Sequence, residues 1–189
     1  WDGTNFNYTG RSRLTVKFST IFENSARFDT ASGLGSTITW EDYGVKLAAG
    51  TTADREATIR LLGSDNSASS DMAVFDNTSF VAVCGIVSKG TVTSGSNGIF
   101  YIGVHSRFGD DYQTTIEQYG FKAIKTNGTV DLYATSGDDL GNEQSTLVEA
   151  NLSTTATLQL AAVCNADSSV EFSVKSPNHN IDFYTVHST

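Results

Sequence analysis

The chain has 189 residues, a net charge of −9, 17% charged and 39% hydrophobic residues, and a single proline. That length suits one domain over residues 1–189, at roughly 100–200 residues per domain, with enough chain to bury a sizeable core. The acidic balance argues against a nucleic-acid partner, which needs clustered Lys and Arg, and against an anionic membrane surface. No run of about 18 apolar residues is present to span a bilayer.

Alternation of apolar and polar residues dominates the chain. Leu14, Val16 and Phe18 alternate with Thr15, Lys17 and Ser19. Ile38 and Trp40 do the same, and Val45 and Leu47 flank Lys46. Residues 52–62 admit a short helix through Ala53, Ala57 and Leu61, but Ala57, Ile59 and Leu61 fit a strand at least as well. Residues 80–87 are apolar on both parities. Phe100, Ile102 and Val104 alternate, and residues 119–125 are separated from residues 129–135 by Asn127-Gly128, the strongest short hairpin signal. Residues 158–163 are again apolar on both parities. Residues 165–169 form a turn before Val170, Phe172 and Val174, and Ile181 and Phe183 close the series.

Period two over four to eight residues marks a half-buried strand. About twelve short strands separated by turns give an all-β fold. A two-sheet antiparallel β-sandwich, arranged as a jelly roll, fits best. Strands apolar on both parities belong in its interior.

Cys84 and Cys164 are too few for a disulfide framework and lack metal-ligand spacing. They are either two buried free thiols or a disulfide between adjacent strands, and a disulfide would place the protein outside a reducing cytosol. The chain begins at Trp1 and its one methionine is Met72. This fits a protein processed by removal of a secretory signal, and fits a fragment of a longer chain equally.

The order of elements resembles the concanavalin A-like lectin/glucanase sandwich. The resemblance rests on the apolar strand at residues 80–87 and on Phe100-Tyr101-Ile102-Gly103-Val104. It continues through Tyr119-Gly120-Phe121 to Leu132-Tyr133, the apolar strand at 158–163 and Val170-Glu171-Phe172-Ser173-Val174. It covers roughly residues 36–175, and none of these strings is specific by itself. It implies a jelly-roll sandwich in a superfamily that includes polysaccharide-binding and polysaccharide-cleaving members. Other members are structural domains on virion surfaces and fibres. Fold alone does not choose among these.

Glycoside hydrolysis needs two carboxylates about 5–10 Å apart. The Glu-x-Asp-x-x-Glu string typical of hydrolases in that superfamily is absent. Glu41-Asp42 and Asp138-Asp139 are sequence neighbours, which face opposite ways on a strand. Tyr119-Gly120-Phe121-Lys122-Ala123 is similar to a string of alginate lyases only if Gly120 is counted as an insertion, and that family's partner strings are missing. His179 and His187 lie on polar stretches and are expected in solvent. The chain is expected not to be an enzyme.

Tyr101, Tyr119, Tyr133 and Tyr184 sit on the more polar parity or at strand ends. They are candidates for an aromatic face that binds glycan, with the alternative that each caps a sheet edge with its hydroxyl in water. Asp110, Asp111, Asp138 and Asp139 lie in acidic loops and are candidates for a structural Ca²⁺ site, although neither loop follows the EF-hand spacing. The expected function is a non-catalytic structural or recognition module on an extracellular or virion surface, self-associating or bound to other surface proteins, with a glycan as ligand. A lectin domain, a polysaccharide lyase or hydrolase with an unrecognised site, and an extracellular filament subunit are the alternatives.

Overall fold

The structure, a computed structural model, describes residues 28–32, 35–41, 44–48, 57–61, 82–88, 98–105, 117–138 and 140–188. Among them the chain is all-β, with no helix and with every strand pairing antiparallel. The chain divides into two compact units, Trp1–Ala73 and Val74–Thr189.

In the first unit, β1 (Phe28–Ser32), β2 (Thr37–Glu41), β3 (Gly44–Ala48) and β4 (Ala57–Leu61) form two ribbons. β2 and β3 make a hairpin that sets Trp40 opposite Val45. β1 pairs with β4, so the stretch that admitted a helix is extended. Its β-branched Thr58 and Ile59 suit that conformation. The strand expected through Leu14, Val16 and Phe18 lies outside the described residues.

The second unit holds β5 (Ala82–Ser88), β6 (Gly98–His105), β7 (Gln118–Thr126), β8 (Thr129–Gly137), β9 (Glu143–Glu149), β10 (Thr157–Cys164), β11 (Val170–Ser176) and β12 (Ile181–His187). Four of them run β6-β7-β8-β9 in one sheet, and the other four run β12-β11-β10-β5 in a second. The first sheet is a plain meander. The second is a meander of β10, β11 and β12, with β5 added beside β10.

The turns follow their sequence signals. Asn127 and Gly128 take φ of 50° and 90°, the left-handed pair that a two-residue hairpin requires. Between β10 and β11, Ser168 takes φ of 66° while Asn165 receives the Ser168 amide at 3.0 Å and gives its own to Ser169 at 2.8 Å.

One core joins the two sheets of this unit. Phe121, Val130, Leu132 and Ala134 come from β7 and β8, and Leu158, Leu160, Ala162, Val170, Phe172 and Val174 from β10 and β11. Phe121 and Phe172 meet edge to face, ring centroids 5.5 Å apart and planes at 84°. That geometry sets the positive edge of one ring against the negative face of the other. On β10 the second face is only partly covered: Gln159 is exposed and Ala161 and Val163 are half-buried.

The disulfide alternative fails. Cys164 is a free thiol, half-buried against the core. β5 and β10 are neighbours, but the register sets Cys84 opposite Ala161, three residues along from Cys164. At about 3.3 Å per residue that offset exceeds the ~7 Å Cα reach of a disulfide.

Candidate functional site

The face of the β6-β7-β8-β9 sheet turned away from the core is polar. Register places Tyr101, Lys122, Tyr133 and Leu147 in one cross-strand row. The next row holds Gly103, Gly120, Thr135 and Ser145, and the one after pairs Gln118 with Gly137 and Glu143. Tyr101 and Tyr133 are half-buried, whereas Lys122 is 6%, Gln118 4% and Thr135 0% exposed. Two aromatic rims thus flank a floor of buried polar groups.

Small residues build that floor. A Cβ on Gly120 would collide with the Ile102 carbonyl oxygen and lie 2.6 Å from the Gly103 Cα. A Cβ on Gly103 would strike the Tyr119 carbonyl oxygen and the Tyr101 hydroxyl. The Gly103–Gly120 pair therefore lets Tyr101 lie along β6, where its hydroxyl donates to the Tyr119 carbonyl at 3.0 Å.

The Lys122 ammonium is ion-paired with the Glu143 carboxylate, which also accepts from Ser145 Oγ at 2.8 Å. Ser145 Oγ reaches Thr135 Oγ1 at 3.3 Å. A buried ammonium needs such a partner, because an unpaired buried charge is costly. Gln118 differs. Its side-chain oxygen and nitrogen are both buried and neither has a hydrogen-bond partner.

A cleft of about 410 Å³ opens at the β8–β9 end of this sheet, lined by Ser136, Gly137, Asp138, Asn142, Glu143, Gln144 and Ser188. Asp138 holds the β8–β9 loop. Its carboxylate accepts the Leu140 amide at 3.0 Å and both the backbone and side-chain N–H of Asn142 at 2.9 Å. The Asn142 bonds first, then that from Leu140, hold its carboxyl below the usual carboxylate range.

Behind the cleft, His187 is fully buried. Its Nδ1 lies 2.9 Å from Ser136 Oγ, its Nε2 2.9 Å from Thr146 Oγ1, and its ring centroid 4.8 Å from that of Phe172. Burial lowers its pKa, so the imidazole is neutral and both nitrogens are satisfied by hydroxyls. This corrects the expectation that His187 is exposed. The aromatic Phe172 beside it and the two hydroxyls make a polar residue cheap to bury. His179 is exposed as expected and lies 3.1 Å from Thr155 Oγ1.

Of the four tyrosines singled out by sequence, Tyr101 and Tyr133 come together on either side of Lys122. Tyr119 instead packs against the core, and desolvation drives its pKa far up. Tyr184 sits on the other sheet, 60% exposed, on the edge strand β12. Asp110, Asp111 and Asp139 lie outside the described residues. Among the described residues no three His, Cys, Asp or Glu side chains converge on a metal position.

Sequence reading missed Gln118, Lys122, Glu143 and Thr135 as a group. Lys122 and Glu143 are 21 residues apart and meet only through the register of three strands. The available signal was parity, since Lys122 and Gln118 share the parity of Gly120 and oppose that of Phe121.

No family model matches the chain, and no curated protein and no solved structure shows significant similarity to it.

Proposed function

We propose that Val74–Thr189 is a two-layer β-sandwich of the concanavalin A-like, jelly-roll kind, and that it acts as a non-catalytic recognition module taking a glycan on the polar face of the β6–β9 sheet. The carrying observation is the row Tyr101–Lys122–Tyr133, two half-buried rings bracketing a buried, neutralised cation above a glycine floor. Aromatic rims beside a few fixed polar groups are what a sugar needs: ring faces for its C–H surface and donors and acceptors for its hydroxyls. Two sheets sharing one core, with single crossings from β5 to β6 and from β9 to β10, support the sandwich reading.

The non-catalytic reading rests on how the site's groups are occupied. A general acid needs a raised pKa, whereas Asp138 has a lowered one. Glu143 is engaged by Lys122 and Ser145. His187 is held between two hydroxyls and is fully buried. The extracellular or virion-surface setting, and self-association there, rest on the superfamily resemblance. The free Cys164 removes the disulfide as an argument for it.

A glycan array tests the reading. Binding to at least one glycan class is expected, without new reducing ends or unsaturated uronates in the bound material. A blank array overturns recognition, and released product overturns the non-catalytic assignment.

A further inference from the structure

The residues that build the β7–β8 turn set a side-chain amide carbon next to a backbone nitrogen with no side chain beside it. Asn127 and Gly128 take φ of 50° and 90°, and few residue types tolerate that pair. Gly128 has no Cβ, so its nitrogen can be approached closely and its backbone rotates with little hindrance. Asn127 is exposed, and no other described residue holds its side-chain amide. A carbon and a nitrogen so placed close to a cyclic imide when the turn relaxes.

The other described asparagines each lack a condition. The Asn142 side chain donates to Asp138 at 2.9 Å, that of Asn165 to Ser169 and Glu171 at 3.1 Å, and that of Asn178 to the Thr155 carbonyl at 2.8 Å. Asn151 and Asn180 are exposed and take φ of 53° and 47°, but Leu152 and Ile181 follow them. These followers are branched and packed into the core, 5% and 9% exposed, which holds their backbone in place. The Leu152 nitrogen is also engaged, donating to the Val130 carbonyl at 2.7 Å.

We propose that Asn127 is a covalent modification site, converted without an enzyme to isoaspartate or aspartate through a cyclic imide with Gly128. The Gly128 nitrogen attacks the Asn127 side-chain carbon and gives up its proton. The bond from that carbon to Nδ2 breaks, and ammonia leaves. Water then opens the imide. Addition at the main-chain carbonyl routes the chain through the side chain as isoaspartate, and addition at the side-chain carbonyl gives aspartate. Nothing is oxidised or reduced, and either product adds a carboxylate to a chain already at −9. The proposal stands apart from the glycan reading.

The two products differ in what they do to the hairpin. Asp-Gly suits the same turn as Asn-Gly. Isoaspartate lengthens the backbone between Thr126 and Thr129, the pair that closes the hairpin and that is also joined by Thr129 Oγ1 donating to the Thr126 carbonyl at 2.8 Å. The turn then no longer fits a two-residue loop, and the tip of the β7–β8 pair loosens.

Ageing the full chain in mildly alkaline, heavy-oxygen water tests this, with the folded protein and a urea-unfolded sample run side by side. Peptide mapping reads the oxygen label at each asparagine, and methyl transfer by an isoaspartyl methyltransferase reads isoaspartate. Asn127→Gly, whose Gly-Gly pair also suits the turn, removes the amide. In the folded chain, label is expected at Asn127 about tenfold or more ahead of Asn151 and Asn180, because a follower without a side chain hinders neither approach nor rotation. Isoaspartate is expected with it, and Asn127→Gly should abolish the methyl transfer. Label at Asn127 in urea but none in the folded chain would show that the hairpin shields the imide path, and the proposal falls. Equal labelling of Asn127, Asn151 and Asn180 in the folded chain overturns it as well.

Discussion

The Nδ1 of His187, near the end of β12, lies 2.9 Å from the hydroxyl of Ser136 on β8, and that contact ties the edge of one sheet to the interior of the other. Thr146 of β9 holds the opposite nitrogen at 2.9 Å. The imidazole thus clamps the side of the unit where β9 and β12 meet.

Acid should release this clamp. Burial lowers the pKa of His187 in the folded chain, whereas the unfolded chain takes up the proton near the ordinary ~6.5. Between these two values the unfolded state binds more protons, so stability rises with pH there and is lost as pH falls. The contribution is complete above about pH 7. Melting temperature measured from pH 8 to pH 5 should fall below neutrality in the wild type and fall less steeply in His187→Gln. Parallel curves would show that His187 does not titrate with unfolding.

The aromatic contact across the core should dominate stability. Phe172 is fully buried between Phe121 and His187. Phe172→Ala is expected to cost about 3–5 kcal/mol, a large share of a typical folding free energy. Val186→Ala, on a side chain 46% exposed, should stay within about 0.5 kcal/mol. Urea unfolding of the two variants checks the contrast.

The ion pair under the tyrosine row should behave as a unit. Lys122 and Glu143 have side chains only 7% and 14% exposed. Removing one partner strands the other, so Lys122→Met alone should cost about 3 kcal/mol or more. Adding Glu143→Gln should restore much of that loss. A double-mutant cycle measures the coupling, and simple additivity would show the two charges to be independent.

Much of the fold was legible, and the limits have physical causes. The β7–β8 hairpin follows from alternation plus Asn127-Gly128, because only residues tolerant of positive φ fit that turn. β9 was not legible. It is an edge strand, opposed on one side only, and an irregularity between Leu132 and Tyr133 shifts its register, so Glu143–Glu149 never shows a clean period of two. Tyr101 and Tyr133 were readable as polar-face residues because their strands alternate. Tyr119 was misplaced because β7 is buried on both faces around Phe121 and Lys122, which blurs parity. The Lys122–Glu143 pair and the partnerless Gln118 depend on register between distant segments, which no local pattern encodes.

Gly120 and Gly137 differ in how closely their neighbours approach. Gly120→Ala should open or unfold the β6–β7 pairing, since its Cβ meets the Ile102 carbonyl, a backbone atom that cannot swing aside. Hydrogen exchange of the β7 amides should rise sharply in that variant. Gly137→Ala, with its nearest neighbours at 3.7 Å, should leave the exchange pattern unchanged. Equal protection in both would mean that β6 and β7 do not approach as closely as the Gly103–Gly120 pair implies.

The two tyrosines of the row should carry binding that Tyr184 does not. Tyr133 stands beside Lys122 on the polar face, whereas Tyr184 pairs with Ser173 on the other sheet. Tyr133→Ala should weaken affinity for a captured glycan by about tenfold, the upper end of a ring contact. Tyr101→Phe removes only the hydroxyl that reaches the Tyr119 carbonyl, so it should lower stability by about 1 kcal/mol and leave the ring face able to bind. Tyr184→Ala should change affinity less than twofold on this scale. A larger loss from Tyr184→Ala than from Tyr133→Ala would move the binding face to the β12 edge and away from the β6–β9 sheet.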